Sequence, residues 1–147
     1  MFTRLGRGRG RLAPVPPAPL RRPLADCRLA VVASSVCLAP ARGAYPGVQV
    51  GEPSFRQIEG GVPTAELLAA ARAGSDASAA NLDRNLAFAL DRLRDAVAEG
   101  RLGELNGRHL ALCGAMAATD RAIRGRAPQA ARWLSDDGVD AALLVPT

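Results

Sequence analysis

The stretch "DGVDAALLVPT", residues 137–147, decides the fold class. Gly138 reads as a helix stop, Val139–Val145 as a buried strand, and Pro146-Thr147 as the opening of a loop. Upstream, "ATDRAIRGRAPQAARWLSDDG" (118–138) predicts a helix, with Thr119 or Asp120 as its cap and Ile123, Ala127, Ala130 and Leu134 facing inward. Pro128 predicts a kink or a break into two short helices. Further back, "RHLALCG" (108–114) predicts a strand over Leu110–Cys113. "NLAFALDRLRDAVAEG" (85–100) predicts a helix with Leu86, Leu90, Leu93 and Val97 on one face and Gly100 as its end. "TAELLAAARAG" (64–74) predicts a short helix between Thr64 and Gly74, and "CRLAVVASS" (27–35) a buried strand. Residues 36–63 read as a long irregular segment rich in Gly and Pro. Strand, long loop, helices, strand, helix, strand is the order of an α/β domain. The expectation is a three-layer sandwich on a mainly parallel, Rossmann- or flavodoxin-like sheet, incomplete at its C-terminus because three strands make a thin sheet.

Charge separates the chain into two parts. Residues 1–28 hold seven Arg and one acid, whereas the other 119 residues hold twelve Arg and thirteen acids. The basic excess belongs to the start, where five of the eleven Pro also lie, so residues 1–24 read as a disordered Arg/Pro/Gly-rich tail and 25–147 as the domain. A nearly neutral body argues against a nucleic-acid binder. No apolar run reaches the length of a membrane span. Three scattered Cys (27, 37, 113) without a CxxC or zinc spacing suggest reduced thiols and a cytoplasmic protein.

Few residues offer chemistry. His109 stands alone at a strand start, where a structural or surface role outweighs catalysis. Cys37 follows the first strand, whose C-terminal end should share a sheet edge with the end of the last; it reads either as a thiol near a site or as a small buried hydrophobe. Cys27 and Cys113 read as packing residues. In "GEPSFR" (51–56), read as a loop, Arg56 can clamp a carboxylate or the string can be a plain turn anchored by Phe55. Asp83 and Asn85 either cap the following helix or reach a site.

Taken in order, "PLRRPLADCRLAVVASSVCL", "GEPSFRQI", "DASAANLDRNLAFALDRL", "EGRLGELNGRHLALCGAM" and "APQAARWLSDDGVDAALLVPT" resemble the selenoprotein B family of glycine, sarcosine, betaine and D-proline reductases over about residues 16–147. The family's Gly-Asp-Pro-Ser-Phe/Tyr-Arg string corresponds to Gly51–Arg56. Its Asp-x-Asn with Phe-Pro and Arg-Leu corresponds to Asp83-Arg84-Asn85, Phe88 and Arg92-Leu93. Its Arg-His strand start is Arg108-His109, and its Asp-Gly-Val-Asp is Asp137–Asp140. Two positions depart from the pattern: a Tyr-Asp-His-like string is Ser75-Asp76-Ala77, and the Pro after Phe is Ala89.

The resemblance implies an oxidoreductase subunit that reductively cleaves a C–N bond of an amino acid or derivative. It implies a selenocysteine, or a cysteine in its place, directly after Thr147, so that the sequence is expected to be truncated at a UGA codon and to be inactive alone. It further implies a pyruvoyl group on a partner polypeptide, other reductase subunits as partners, and a thioredoxin-like dithiol donor that reduces a selenenyl sulfide. No cofactor, nucleic acid or membrane is expected for this chain itself. Thr147, Cys37, Arg56, Asp83 and Asn85 are the expected rim of the active site. The alternative is a degenerate, non-catalytic member acting as a binding or scaffold domain, which the changes at Ala77 and Ala89 favour.

Overall fold

In chain order the strands and helices are β1 (Arg28–Ala33), β2 (Cys37–Leu38), β3 (Ser54–Glu59), β4 (Leu68–Ala69), α1 (Leu90–Ala98), β5 (Glu104–Leu105), β6 (Arg108–Cys113), α2 (Ala127–Asp136) and β7 (Ala141–Val145). Short 3-10 turns lie at Leu24–Asp26, Thr64–Glu66 and Arg84–Leu86. The computed structural model describes residues 18–33, 37–38, 54–69, 82–113 and 125–145.

β1 organises the main sheet. β7 pairs with it in parallel from Leu29↔Ala141 to Ala33↔Val145. A strand has only two edges, so β5 (at Arg28 and Leu29) and β6 (at Val32 and Ala33), both parallel, must share the other one. β3 lies outside β6 and antiparallel to it, from Ser54↔Cys113 to Glu59↔Arg108. The result is a mixed five-stranded sheet in an α/β domain, with a separate two-stranded ladder of β2 against β4. Consecutive strand residues face opposite sides of a sheet. Leu29, Ala30, Val31 and Ala33 are all buried, so the sheet is covered on both faces at β1.

The main core lies on one face, where Leu29, Val31, Ala33, Ile58 and Ala111 meet Leu67, Phe88 and Leu90. α1 presents Leu90 and, partly buried, Leu93, Ala96 and Val97 to this cluster. Gly100 takes φ +70 just beyond its end, a conformation open to glycine.

The turn from α2 into β7 is pinned at the N-terminal ends of the strands. Gly138 also has φ +70, and its N–H and that of Val139 return to the carbonyls of Ser135 and Leu134. Both oxygens of the Asp137 carboxylate accept from the Arg108 guanidinium, and Asn106 donates to it at 2.8 Å. Arg108 and then Asn106 hold that carboxyl below its ordinary pKa. Asp140 exchanges two bonds with Arg28: its carboxylate accepts from the Arg28 N–H and its own N–H donates to the Arg28 carbonyl, both at 2.9 Å. The two acids of "DGVD" are therefore spent on setting the register of β7 against β1 and β6.

Several expectations are corrected here. Ser54–Glu59 is a strand, so "GEPSFR" is no plain loop from Ser54 onward. Residues 64–69 form a 3-10 turn and a strand where a helix was expected, because Leu67 is drawn into the core and Leu68–Ala69 find a partner strand. α1 begins only at Leu90, and Leu86 ahead of it is exposed and lies in a 3-10 turn. Pro128 sits in the first turn of α2, directly after a π turn at Gly125-Arg126, and the part of the expected helix before residue 125 lies outside the described residues. Ala127 is exposed, while Ala130 is buried and Leu134 partly so. Thr119, Asp120 and Ile123 lie outside the described residues, as do residues 1–17 of the expected tail.

Candidate functional site

Register brings four points of the chain to one edge of the sheet. Ala33, at the C-terminal end of β1, pairs with Val145 at the end of β7 and with Ala111 near the end of β6. Cys113, the last residue of β6, pairs with Ser54, the first of antiparallel β3. The chain therefore leaves β1, β6 and β7, and joins β3, at a common edge. In open α/β sheets the crevice beyond the strand C-termini is where ligands bind.

Cys37 is four residues past Ala33 and belongs to the β2–β4 ladder, paired with Ala69. Arg56 is half-buried on β3, opposite Ala111, and its place in the strand puts it on the same face as the buried Ile58. Thr147 lies outside the described residues, as does Ala77.

Asp83 and Asn85 serve the fold. The Asp83 carboxylate accepts from the Asn85 N–H at 3.0 Å and caps the 3-10 turn. The Asn85 side-chain carbonyl accepts from the Asp91 N–H in the first turn of α1 at 3.1 Å, and its amide donates to the Asp91 carboxylate at 3.3 Å. Of the two readings of these residues, capping is the one the contacts show.

Asp91 is the centre of a network that sequence reading missed. Thr64 donates to its carboxylate at 2.7 Å and Arg94 at 3.0 Å. The Thr64 hydrogen bond is the largest influence lowering the Asp91 pKa, followed among the lowering ones by Asn85 and Arg94, so the group is held ionised. Arg94 also donates to the carbonyls of Gly60 (2.9 Å) and Val62 (2.6 Å). Its fork satisfies carbonyls that no strand partner reaches. The partners lie about thirty residues from Arg94 in the chain, and no local pattern announces them.

His109 is structural, as expected, and fully buried. Its Nδ1 accepts from the Val31 N–H at 3.1 Å, at the level where the partner of β1 changes from β5 to β6. The backbone carbonyls nearby are engaged: Gly107 accepts from Gly60 and Arg108 from Asn106. The imidazole thus substitutes for a missing ladder carbonyl. Phe88 meets it edge-on at 6.0 Å between ring centroids, and its Nε2 has no hydrogen-bond partner among the described residues. Burial, helped by the Arg94 charge, depresses its pKa to about 4. Cys27 is also buried, as expected of a packing residue, and its thiol donates to the Pro23 carbonyl at 3.3 Å.

Among the described residues no group of three or more His, Cys, Asp or Glu is arranged to hold a metal ion, and no helix is long and apolar enough to cross a membrane.

The family model described as "Glycine/sarcosine/betaine reductase selenoprotein B (GRDB)" matches residues 57–147, more than half of the chain. The chain belongs to the selenoprotein B family. The matched segment contains the Asp83-Arg84-Asn85 turn, α1, the Arg108-His109 strand start and the whole α2–β7 unit; β1, Cys37 and Arg56 precede it. Comparison with curated proteins and with solved structures returned no match. The Asp83-Arg84-Asn85, Arg108-His109 and Asp137–Asp140 strings all have hydrogen-bonded structural duties, and the contacts of Arg108, Asp137 and Asp140 lie at the N-terminal ends of the strands.

Proposed function

We propose that this chain is a subunit of a selenocysteine-dependent reductase that cleaves the C–N bond of a small amino acid or its derivative, of the glycine, sarcosine, betaine or D-proline type. The observation that carries this reading is the in-register meeting of Ala33, Ala111 and Val145 in a chain of the selenoprotein B family. On this reading the complete domain is a three-layer, flavodoxin-like sandwich, and the catalytic selenocysteine follows β7 directly after Thr147. A selenolate there supplies the nucleophile toward the α-carbon, and the N–H groups of a following helix favour its charge. Other subunits, one carrying the pyruvoyl group, and a dithiol donor in the cytoplasm complete the system. No residue of this chain is assigned to hold the pyruvoyl group.

Within the chain, the proposed task of Arg56 is to orient the substrate carboxylate from β3, and that of Cys37 is to line the rim. Asp83 and Asn85 are proposed to act at the rim only through the turn they build. The test is dithiol-dependent amine release, or D-proline ring opening, by the subunit assembled with its partners. Arg56→Ala is expected to raise KM roughly tenfold to a hundredfold, the loss of a charge-assisted bond, with kcat much less affected. No turnover of any of the four substrates by the intact complex would overturn the reading.

A second reading, a non-catalytic scaffold, is favoured by the changes at Ala77 and Ala89. Stable assembly with partner subunits without turnover is its expected outcome in the same assay.

A further inference from the structure

Residues 60–69 cross the molecule from one end of the strands to the other. Gly60 donates to the Gly107 carbonyl beside the start of β6, and Ala69 pairs with Cys37 just past the end of β1. The segment is fastened at three levels. Arg94 holds Gly60 and Val62, Asp91 holds Thr64, and the Arg84 Nε donates to the Leu67 carbonyl at 2.6 Å. Beyond Leu67, two residue pairs among the described residues, Cys37↔Ala69 and Leu38↔Leu68, join β4 to β2. A two-stranded ladder is at best marginally stable by itself in water. Leu67 is buried in the core, and Arg84, in the Asp83–Asn85 turn, fixes its carbonyl. The direction in which the chain leaves Leu67 toward β4 is thereby set.

We propose that Arg84 is the positioning residue for Cys37: by holding the Leu67 carbonyl it fixes β4, and β4 fixes the rung that carries the cysteine. The assignment gives the middle residue of the Asp83-Arg84-Asn85 string a task its neighbours do not share, since theirs is to cap the turn and α1. It holds whatever reaction the edge serves, so its failure would leave the proposed reductase function untouched.

The test is hydrogen–deuterium exchange on the full chain, with iodoacetamide labelling of Cys37 followed by peptide mass spectrometry. Arg84→Ala is expected to speed exchange over residues 37–38 and 67–69 roughly fivefold to tenfold, the size of one lost hydrogen bond. The Cys37 labelling rate should change with it, while β1 and β7 exchange as before. Arg92→Ala, whose parent side chain is exposed and lies 3.8 Å from Asp95 among the described residues, should move neither signal. Unchanged exchange over 37–38 and 67–69 in Arg84→Ala overturns the proposal. So does a uniform rise that includes β1 and β7, because Arg84 would then support the whole domain and not this rung. If Arg84→Ala does not fold, Arg84→Met, which keeps an aliphatic stem but has no N–H donor, is read by the same criteria.

Discussion

Replacing His109 by Ala should cost about 3–5 kcal/mol, the range for emptying a buried aromatic-sized site, and it would also orphan the Val31 N–H in the middle of the central strand. His109→Gln, which retains an acceptor, should recover part of that loss. The fluorescence of Trp133, the single Trp, in urea titrations is a direct readout. The same residue gives the protein a specific acid sensitivity. Its pKa falls from 6.5 to about 4 on folding, so the unfolded chain takes up the proton more readily than the native one. A base whose pKa is depressed contributes no destabilisation above the unfolded value. It withdraws stability as pH falls from about 6.5 toward 4, and nothing further below that. A shift of that size corresponds to on the order of 3 kcal/mol. Wild type should therefore weaken steeply across that window, and His109→Gln should show a flatter profile there. Equal slopes in the two proteins would show that the imidazole does not carry the effect.

Gly103→Ala should be nearly as damaging for a different reason. A Cβ at this position would stand 2.7 Å from the Cys27 carbonyl oxygen, 2.8 Å from the Asp26 carbonyl carbon and 2.9 Å from the Ala25 carbonyl oxygen. All three are backbone atoms, which cannot swing aside as a side chain can. Gly103 and Glu104 donate their N–H groups to the Leu24 and Cys27 carbonyls, so the methyl would push β5 away from the start of β1. An overpacking cost of about 2–3 kcal/mol follows, seen as a lower urea midpoint with an unchanged m-value. Gly61→Ala, where nothing lies within 4 Å of the added carbon, is the matched control and should change little. Equal stability of the two variants would contradict the close approach at Gly103.

The parts of the fold that could be read from sequence are those whose signal is local. β1, β6 and β7 are short apolar runs bounded by polar, glycine or proline residues, and Gly100 and Gly138 end helices through a conformation that only glycine adopts cheaply. β3 escaped because Gln57 and Glu59 are exposed and only Ile58 announces a core, the pattern of a half-solvated strand behind a Gly/Pro segment. Residues 64–69 carried a strong helical composition, overridden by burial of Leu67 and by the Cys37–Leu38 partner strand. At the candidate site, the expectation that the first and last strands end at one edge was legible because strands joined through helices run parallel and point their C-terminal ends the same way. The duties of Asp83 and Asn85 were only half legible. Their capping role is local, but Asp91, Thr64 and Arg94 meet through folding alone.

On the proposed function, the edge formed by β1, β6 and β7 belongs to a selenium-dependent reductase whose nucleophile directly follows Thr147. Mass spectrometry of the native subunit, alkylated after reduction, tests it most directly. The expected result is a peptide continuing past Thr147 in which the next residues include an alkylated selenocysteine with the isotope pattern of selenium, or a cysteine in that place. A native peptide with neither residue there would contradict it.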